Sequence, residues 1–385
     1  MLRTRRTALS PAELVSLVAA LALVTAACTD VERGLSRETR EAFVTDFSTH
    51  NVPLDELVSG RPDKDGIPSI DSPSYESVEN ASEWLAAAEP VIMIEIDGDA
   101  RAFPVQILMW HEIANAEVGG RPVAVTYCPL CNTAAGFLRE HDGVVLDFGT
   151  SGHLRFSNMV MYDRQTESWW QQATGEAIVG ELTGTRLVHT PAPIVSWSDF
   201  ARSSPDGKVL TRDADSGRRY GRNPYTGYDA PDREPHYFDA GLRDERLRSM
   251  DRVLGLEMDG EAVAYPFTLL SVERVVNDVV GGEGVVVLWA PGTASPVDAE
   301  TVAGGRDVGA AGAYSAMSDG VRTTFEFRNG RIIDRESGSV WNAMGVAVSG
   351  EREGERLERL AARDHFWFSW AMFRPDTRVY ERRGG

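Results

Sequence analysis

The chain repeats itself, and this internal duplication is the sequence feature that most restricts its fold. The segment VIMIEIDGDARAFP at 91–104 matches VLGLEMDGEAVAYP at 253–266, and VAVTYCP at 123–129 matches VVVLWAP at 285–291. Two similar segments in one chain present the same apolar faces twice, and neighbouring repeats bury such faces against each other. We therefore expect two tandem homologous repeats that form one compact body.

The pattern inside each repeat favours short strands. VIMIEI and ARAFP flank an Asp-Gly pair, which is typical of a β-hairpin. VAVTY, AGFLRE and VVLDFG are three further apolar runs of strand length. VQILMWHEIAN and SWSDFARS instead have apolar residues at helical spacing, and they predict two short helices. The expected fold class is mostly β or α+β.

The predicted organisation follows from the length and from shifts in composition. A chain of 385 residues exceeds one average domain, so two units are expected. The predicted segments are an export signal at 1–27, a lead-in at 28–60, repeat 1 with both paired cysteines at 61–211, a Gly/Pro/Tyr-rich connection at 212–249, and a cysteine-free repeat 2 at 250–385.

The first residues are typical of an export signal. Arg3, Arg5 and Arg6 precede an apolar run at 14–24, which is shorter than the ~20 residues of a membrane span. The run ends in Thr-Ala-Ala-Cys, and a cysteine at that place is typical of a bacterial lipoprotein signal. We expect an extracytoplasmic lipoprotein, acylated at Cys28 and held to the membrane of the cell envelope. Plain secretion and an uncleaved anchor are the alternatives.

The charge excludes one class of partner. The formal net charge is −19, and no basic patch occurs beyond the first residues. Because binding to nucleic-acid phosphates requires a basic face, we expect no nucleic-acid partner. We expect two partners: the membrane, through an N-terminal lipid anchor, and an unidentified redox or metal partner.

Cys128 and Cys131 form a Cys-Pro-Leu-Cys motif, and Cys28 is the third cysteine of the chain. Two thiols at this spacing suit thiol–disulfide exchange, in which one sulfur attacks and the other resolves the intermediate. His111 lies on the preceding element, where an imidazole could accept the thiol proton. The strands that follow the motif differ from the helix that follows it in thioredoxin, so we do not expect a thioredoxin fold.

Two other functions are compatible with the motif. A soft-metal site of Cys128, Cys131 and His111 would suit copper. Structural zinc usually requires four ligands, and only one cysteine pair is present. A structural disulfide is the third possibility. The sequence therefore predicts no cofactor if the cysteine pair is a redox site, and copper if it is a metal site. A non-enzymatic interaction protein of the cell envelope is a further alternative.

The second repeat serves as an internal comparison for the first. Cys128, Cys131 and His111 align with Ala290, Thr293 and Glu273, so the chemistry-bearing residues occur in one copy only. This difference favours a chemical role over a structural role for the thiols. Residues present in both copies are interpreted as framework, including Asp163-Arg164 and its counterpart at 334–335 as an ion pair.

Two more residues flank the motif in the predicted first repeat. Glu112 is expected to be a solvated neighbour of His111 and not a catalytic acid. His153 lies in a segment flanked by glycine, which predicts either an exposed loop histidine or a residue that reaches the site.

Several long motifs together resemble one known family. They are DGIPSI, WHEIAN, VAVTYCPLCNTA, MYDRQTESWWQQATGEAIVGELTGTRL and YGRNPYTGYD. The chain is similar to the uncharacterised prokaryotic family catalogued as domain of unknown function 3179, from about Pro53 to Tyr380. No activity is established for that family. Some members are described as selenoproteins with selenocysteine in the CxxC-type motif, which implies redox chemistry at Cys128 and Cys131. We therefore expect a thiol–disulfide or related redox activity.

Overall fold

The structure is a computed structural model, and it describes residues 34–213, 216–318 and 320–382. The predicted export signal and the acylation site at Cys28 lie outside the described residues. Strands predominate over helices, so the expectation of a mostly β protein is confirmed. In the part of the chain that the structure covers, every helix is too short or too polar to cross a membrane.

The first sheet of the N-terminal half is built on the predicted Asp-Gly hairpin. Asp97 and Gly98 have φ of 49° and 81°, which matches the turn that joins two antiparallel strands tightly. The strand order is β15-β3-β4-β16-β2, with β16 parallel to β4. The strands are β2 Tyr75–Ser77, β3 Pro90–Ile96, β4 Asp99–Pro104, β15 Ile194–Ser196 and β16 Lys208–Leu210.

The second and third sheets of this half follow along the chain. The second sheet has the order β14-β7-β6-β5, with β5 Ile113–Val118, β6 Arg121–Cys128, β7 Thr133–Leu138 and β14 His189–Thr190. The third has the order β1-β10-β11-β12-β13, with β1 Leu57–Ser59, β10 Phe148–Arg155, β11 Asn158–Asp163, β12 Trp169–Gln171 and β13 Glu176–Val179. The hairpin of β8 Glu140–His141 and β9 Val144–Val145 is separate.

The C-terminal half also contains three larger sheets, each with one strand fewer than the corresponding sheet of the N-terminal half. Its first sheet is β28-β17-β18-β29, its second is β19-β20-β21 and its third is β24-β25-β26-β27. The strands are β17 Arg252–Met258, β18 Glu261–Pro266, β19 Val275–Val280, β20 Glu283–Ala290, β21 Ala310–Ser315, β24 Phe325–Arg328, β25 Arg331–Asp334, β26 Val340–Trp341, β27 Ala347–Ser349, β28 Arg363–Phe366 and β29 Arg378–Val379. A small hairpin joins β22 Met317–Ser318 to β23 Val321–Arg322. Homology between the halves and the repeat boundaries stay predictions.

Short helices connect these sheets. They are α1 Arg37–Ala42, α2 Val78–Ala81, α3 Val105–His111, α4 Trp197–Ser203, α5 Phe267–Glu273 and α6 Trp367–Phe373, with 3-10 turns at Leu54–Glu56, Ala240–Leu242 and Val302–Gly304. The helices predicted for VQILMWHEIAN and SWSDFARS are confirmed as α3 and α4. Pro104 and Pro266 precede α3 and α5, where the missing proline N–H removes no helical hydrogen bond.

The two halves pack against each other. Strand β28 of the C-terminal half packs against β7, and β15 of the N-terminal half packs against β21. One core cluster joins residues around the cysteine motif with Val297, Phe366 and Phe368 of the other half. Four tryptophans of the two halves are buried: Trp169, Trp170, Trp341 and Trp367. The environment of the cysteine motif is therefore built by both halves.

Two expectations about the framework are wrong. The Asp163 carboxylate accepts hydrogen bonds from Trp170 Nε1 (2.9 Å) and the Thr166 N–H (2.6 Å), whereas the Arg164 guanidinium pairs with Asp65. The aspartate therefore orients a buried indole and a turn, and it does not pair with the adjacent arginine. The same bond recurs between Asp334 and Trp341 Nε1 (2.8 Å).

The loop of the C-terminal half that corresponds to the cysteine motif differs in length from the cysteine loop, although the two segments align in sequence. In the C-terminal half, residues 291–309 connect β20 to β21, and they include the 3-10 turn Val302–Gly304. Residues 129–132 suffice for the same connection in the N-terminal half. Thr293 therefore lies in a loop that is longer than the cysteine loop. The second half thus does not show directly whether the cysteine loop can fold without its thiols.

Candidate functional site

The two cysteines lie in the hairpin loop between β6 and β7. Cys128 ends β6 and pairs with Thr133, which begins β7. The Cys131 N–H donates to the Cys128 carbonyl (3.2 Å), and the Asn132 N–H donates to the Pro129 carbonyl (3.3 Å). Asn132 has a left-handed φ of 49°, which asparagine tolerates better than most residues. A β-hairpin, and not a helix N-terminus, thus presents the motif.

Both side chains are free thiols inside the protein. Cys128 is 2% exposed and Cys131 is 0% exposed. Burial raises the pKa of the Cys128 thiol well above its usual value, and the hydrogen bond and charge of Cys131 raise it further. The thiolate is the nucleophilic form of cysteine, so Cys128 needs a neighbouring base to react near neutral pH.

Glu112 is the titratable residue next to Cys128. It ends α3 with a φ of 58°, its N–H donates to the Leu108 carbonyl (2.7 Å), and its carbonyl accepts from the Tyr127 N–H (2.8 Å). These bonds fix Glu112 opposite the end of β6. Burial, followed by the nearby charge of Cys128, raises the pKa of its carboxyl to about 8. The side chain is partly buried, so the expectation of a solvated neighbour is wrong.

A cavity of about 280 Å³ lies beside the motif. Glu112 lines it, together with Leu130 from the loop and Met159 from β11. The Cys128 thiol donates to the Ser157 carbonyl (3.8 Å), two residues before Met159, so the cavity wall includes close neighbours of this thiol. Tyr225 and His236, from the segment between the halves, complete the opposite side. Neighbours of Cys128, and not its sulfur, thus form this part of the cavity wall.

His153 belongs to the same cavity. It lies on β10, it is 7% exposed, and its Nδ1 is 3.2 Å from the Ser151 carbonyl. Burial lowers the pKa of the imidazole. The prediction of an exposed loop histidine is therefore wrong, because the glycine-flanked segment forms a buried strand.

The segment that contains Tyr225 and Tyr228 is held by the long loop of the C-terminal half. The Tyr228 N–H donates to the Val297 carbonyl (3.0 Å), and the Gly227 N–H donates to the Asp298 carbonyl (2.6 Å). The Tyr228 hydroxyl accepts from the His236 N–H (3.2 Å), which places His236 at the cavity. The loop at 291–309 thus positions residues of the site although it contains no cysteine.

A buried charge network fastens this segment further. The side chain of Asp229 is fully buried, and it accepts hydrogen bonds from Arg252 (2.9 Å), Arg306 (2.8 Å) and Ser295 Oγ (2.6 Å). Burial alone would raise the pKa of Asp229, but Arg252 and the hydrogen bonds hold it below its usual value. Breaking a buried ion pair leaves an uncompensated charge, so this network is important for the position of Tyr228.

The C-terminal half also contacts the cysteine loop directly. The Phe366 N–H donates to the Cys131 carbonyl (2.8 Å), and His365 Nδ1 lies 2.9 Å from Thr133 Oγ1. Thr133 Oγ1 in turn donates to the Cys131 carbonyl (3.3 Å). Strand β28 therefore fixes the backbone at Cys131.

His111 lies in a different cavity, of about 660 Å³. Its Nδ1 is 2.8 Å from the Pro68 carbonyl, and its Nε2 is 2.7 Å from the Tyr220 hydroxyl. Burial lowers the pKa of the imidazole, so Nδ1 donates and Nε2 accepts in the neutral ring. Both nitrogens thus have partners other than the thiols. A role of His111 as the base for the cysteines stays a prediction that none of these contacts supports.

The described residues contain no preformed metal site. In residues 34–213, 216–318 and 320–382, no three His, Cys, Asp or Glu side chains lie close enough together to hold an ion. The predicted copper set would need His111 to give up a present partner. The two thiols remain available as soft ligands.

Sequence reasoning found the cysteines but assigned Glu112 to solvent and gave His236 no role. The second half offered one usable signal, because Arg274 occupies the position of Glu112 with the same backbone hydrogen bond and a φ of 66°. The alignment of the two repeats places Glu112 opposite Arg274, so a carboxylate occurs next to the motif in one copy only.

The comparisons with known proteins agree with the resemblance seen in the motifs. No curated protein and no solved structure shows significant similarity to the chain. One family model matches residues 64–377, which include both cysteines, Glu112 and the loop of the C-terminal half. The chain therefore belongs to the family described as protein of unknown function, DUF3179.

Proposed function

We propose that the chain is a redox protein in which Cys128 and Cys131 interconvert between a dithiol and an intramolecular disulfide. The observation that supports this function best is the closeness of the two cysteines in the turn between β6 and β7, where the Cys131 N–H donates to the Cys128 carbonyl (3.2 Å) and Leu130 between them lines a cavity. Neighbouring thiols on a rigid loop form a disulfide without large backbone movement.

The two cysteines have different roles in this proposal. Cys128 is the attacking thiol, because its neighbours Glu112 and Met159 line the cavity. Cys131 is the resolving thiol, because it is fully buried behind the loop and its carbonyl is bound by the Phe366 N–H. The raised pKa of Cys128 makes the pair unreactive until a proton acceptor is available.

The proposed location is the outer face of the membrane in the cell envelope. The support is the arginine-containing N-terminus, its short apolar run and the cysteine at position 28. Disulfides persist in such compartments, so a dithiol there needs a reducing partner to be regenerated.

Copper binding by Cys128, Cys131 and His111 is the alternative, and a non-enzymatic envelope protein is another. The hydrogen bonds of both His111 nitrogens favour the redox function over the copper site.

Titration of the pair in redox buffers tests the proposal. The purified protein is first analysed for metal, then equilibrated in dithiothreitol and glutathione buffers, alkylated and weighed by mass spectrometry. We expect metal-free protein, one two-electron transition and a potential above about −300 mV, since structural bridges lie below that value. A Cys128→Ser, Cys131→Ser variant is the control for other thiols. A potential below that limit, or stoichiometric copper lost in the variant, would refute the redox function.

A further inference from the structure

The burial of Cys128 restricts what can oxidise it. Cys128 is 2% exposed, and the cavity lined by its neighbours Glu112, Leu130 and Met159 holds about 280 Å³. Pockets for drug-sized ligands measure ~300–1,000 Å³, so this cavity accommodates only a small molecule. A disulfide on the surface of another protein cannot reach the Cys128 sulfur without unfolding the loop, because exchange requires the three sulfurs in line.

The lining of the cavity favours a neutral oxidant. Arg61 and Glu112 are the charged side chains in its wall, and their charges offset each other when Glu112 is ionised. The imidazoles of His153 and His236 have pKa values lowered by burial, so both rings are neutral near pH 7. The chain as a whole has a net charge of −19, which disfavours the approach of an anionic thiol compound such as oxidised glutathione.

The position of Glu112 supplies the proton transfer that such a reaction needs. Its backbone is fixed by the bonds to Leu108 and Tyr127, and its carboxyl influences Cys128 directly. Below about pH 8 both groups are protonated, and above it the pair carries one negative charge, because two adjacent charges in a buried site repel each other. When the remaining proton of this ionised pair is on the carboxyl, the sulfur is a thiolate, and the carboxyl is an acid ready to protonate a leaving oxygen.

We propose, on the basis of the redox function above, that the oxidant is a small neutral hydroperoxide and that Glu112 is the acid–base residue for Cys128. Glu112 accepts the proton of the Cys128 thiol, and the sulfur attacks the terminal oxygen of the hydroperoxide. The O–O bond breaks, an S–O bond forms, and Glu112 returns the proton to the departing oxygen as an alcohol, or as water from hydrogen peroxide. Cys128 is oxidised by two electrons to the sulfenic acid, and the hydroperoxide is reduced by two electrons.

The second step closes the disulfide. The Cys131 sulfur attacks the Cys128 sulfur, the S–O bond breaks, and the oxygen leaves as water with the Cys131 proton. Together the steps convert one dithiol and one hydroperoxide into a disulfide, an alcohol and water. A separate dithiol reductant would then restore the pair.

Single-turnover kinetics test this inference on the full protein. Reduced protein is mixed with hydrogen peroxide, tert-butyl hydroperoxide, oxidised glutathione or insulin, and the loss of thiols is followed by alkylation and mass spectrometry. We expect the hydroperoxides to react at least tenfold faster than either disulfide. In a Cys131→Ser variant, dimedone should trap one sulfenic acid, at Cys128.

Glu112 variants test the proton transfer. General acid–base catalysis contributes ~10²–10⁴-fold, so Glu112→Gln should slow the hydroperoxide reaction about 100-fold, and Glu112→Asp should restore part of the rate. Arg274→Gln changes the equivalent backbone position in the C-terminal half and should leave the rate unchanged. Circular dichroism of each variant shows whether the fold is retained.

The pH profile separates a chemical from a structural role of Glu112. Arg61, His153, Tyr225, His236 and Tyr237 face the same cavity. The histidine pKa values are lowered below 6.5 and that of Tyr225 is raised, so neither the two histidines nor Tyr225 accounts for a step near pH 8. The rate should therefore increase with a midpoint near pH 8 in the original protein, and Glu112→Gln should remove this step.

The outcomes distinguish this inference from the redox function. If redox buffers oxidise the pair but hydroperoxides react no faster than free cysteine, the hydroperoxide inference is wrong and the redox function stands. If Glu112→Gln reacts within threefold of the original protein with the same pH midpoint, Glu112 is not the acid–base residue. If neither buffers nor hydroperoxides oxidise the pair, both proposals are wrong.

Discussion

Replacing Glu112 with glutamine should stabilise the protein at alkaline pH. The pKa of the carboxyl increases from 4.5 to about 8 on folding, because burial and Cys128 disfavour its charge. A group whose pKa is raised by folding binds more protons in the folded state. Its contribution is therefore fully present below pH 4.5 and is lost as the pH rises through 8.

The size of the effect follows from the two pKa values. At 1.36 kcal/mol per pKa unit, complete ionisation of Glu112 opposes folding by about 5 kcal/mol. The side chain is only partly buried and faces a cavity, so solvent reduces this figure, and we expect about 2–4 kcal/mol. Glutamine has the shape of the neutral acid, so it avoids this loss at pH 9 and makes little difference at pH 4.5.

Urea unfolding of the reduced protein, followed by tryptophan fluorescence from pH 4.5 to 9, measures the effect. The free energy of unfolding of Glu112→Gln should exceed that of the original protein increasingly above pH 7. Asp364, whose pKa burial raises to about 7, titrates in both proteins and cancels in the difference. Arg274→Gln is the matched control and should show a difference independent of pH. A pH-independent difference for Glu112→Gln would show that the carboxyl does not titrate as the structure implies.

Three further substitutions test other parts of the structure. Asp229→Asn leaves the buried Arg252 without its carboxylate and should lower the free energy of unfolding by about 3–5 kcal/mol, measured by urea unfolding; a loss below about 1 kcal/mol would contradict the network described here. Gly255→Ala places a methyl group against the Trp370 ring and should destabilise by about 1–3 kcal/mol in the same assay, since overpacked cores are strained. Cys28→Ala should abolish incorporation of radiolabelled palmitate and release the exported protein from the membrane fraction; membrane retention of that variant would exclude the lipid anchor.

Periodicity and turn residues were sufficient to predict the local elements. Alternation and the Asp97-Gly98 turn predicted the first hairpin, and helical spacing predicted α3 and α4. These features are local, because each depends on a few neighbouring residues. The strands on both sides of the cysteines were predicted for the same reason.

The environment of the cysteines could not be predicted from local sequence patterns. Glu112 was assigned to solvent because its burial depends on Tyr225 and the distant loop at 291–309, which no local pattern connects to it. His111 was paired with the thiols because it precedes them closely in sequence. At a helix end, however, adjacent side chains point in different directions, so His111 and Glu112 face different cavities.

The contact between the Phe366 N–H and the Cys131 carbonyl has a consequence for how the protein is made. Strand β28 is formed by residues 363–366, so during synthesis the cysteine loop emerges long before the strand that covers it. Contacts of such large sequence separation form late, because their loop-closure entropy opposes them until most of the chain is present. The thiols are thus open to large oxidants and to oxidoreductases during folding, and only to small molecules afterwards. Completion of the C-terminal half changes the set of molecules that can react with Cys128.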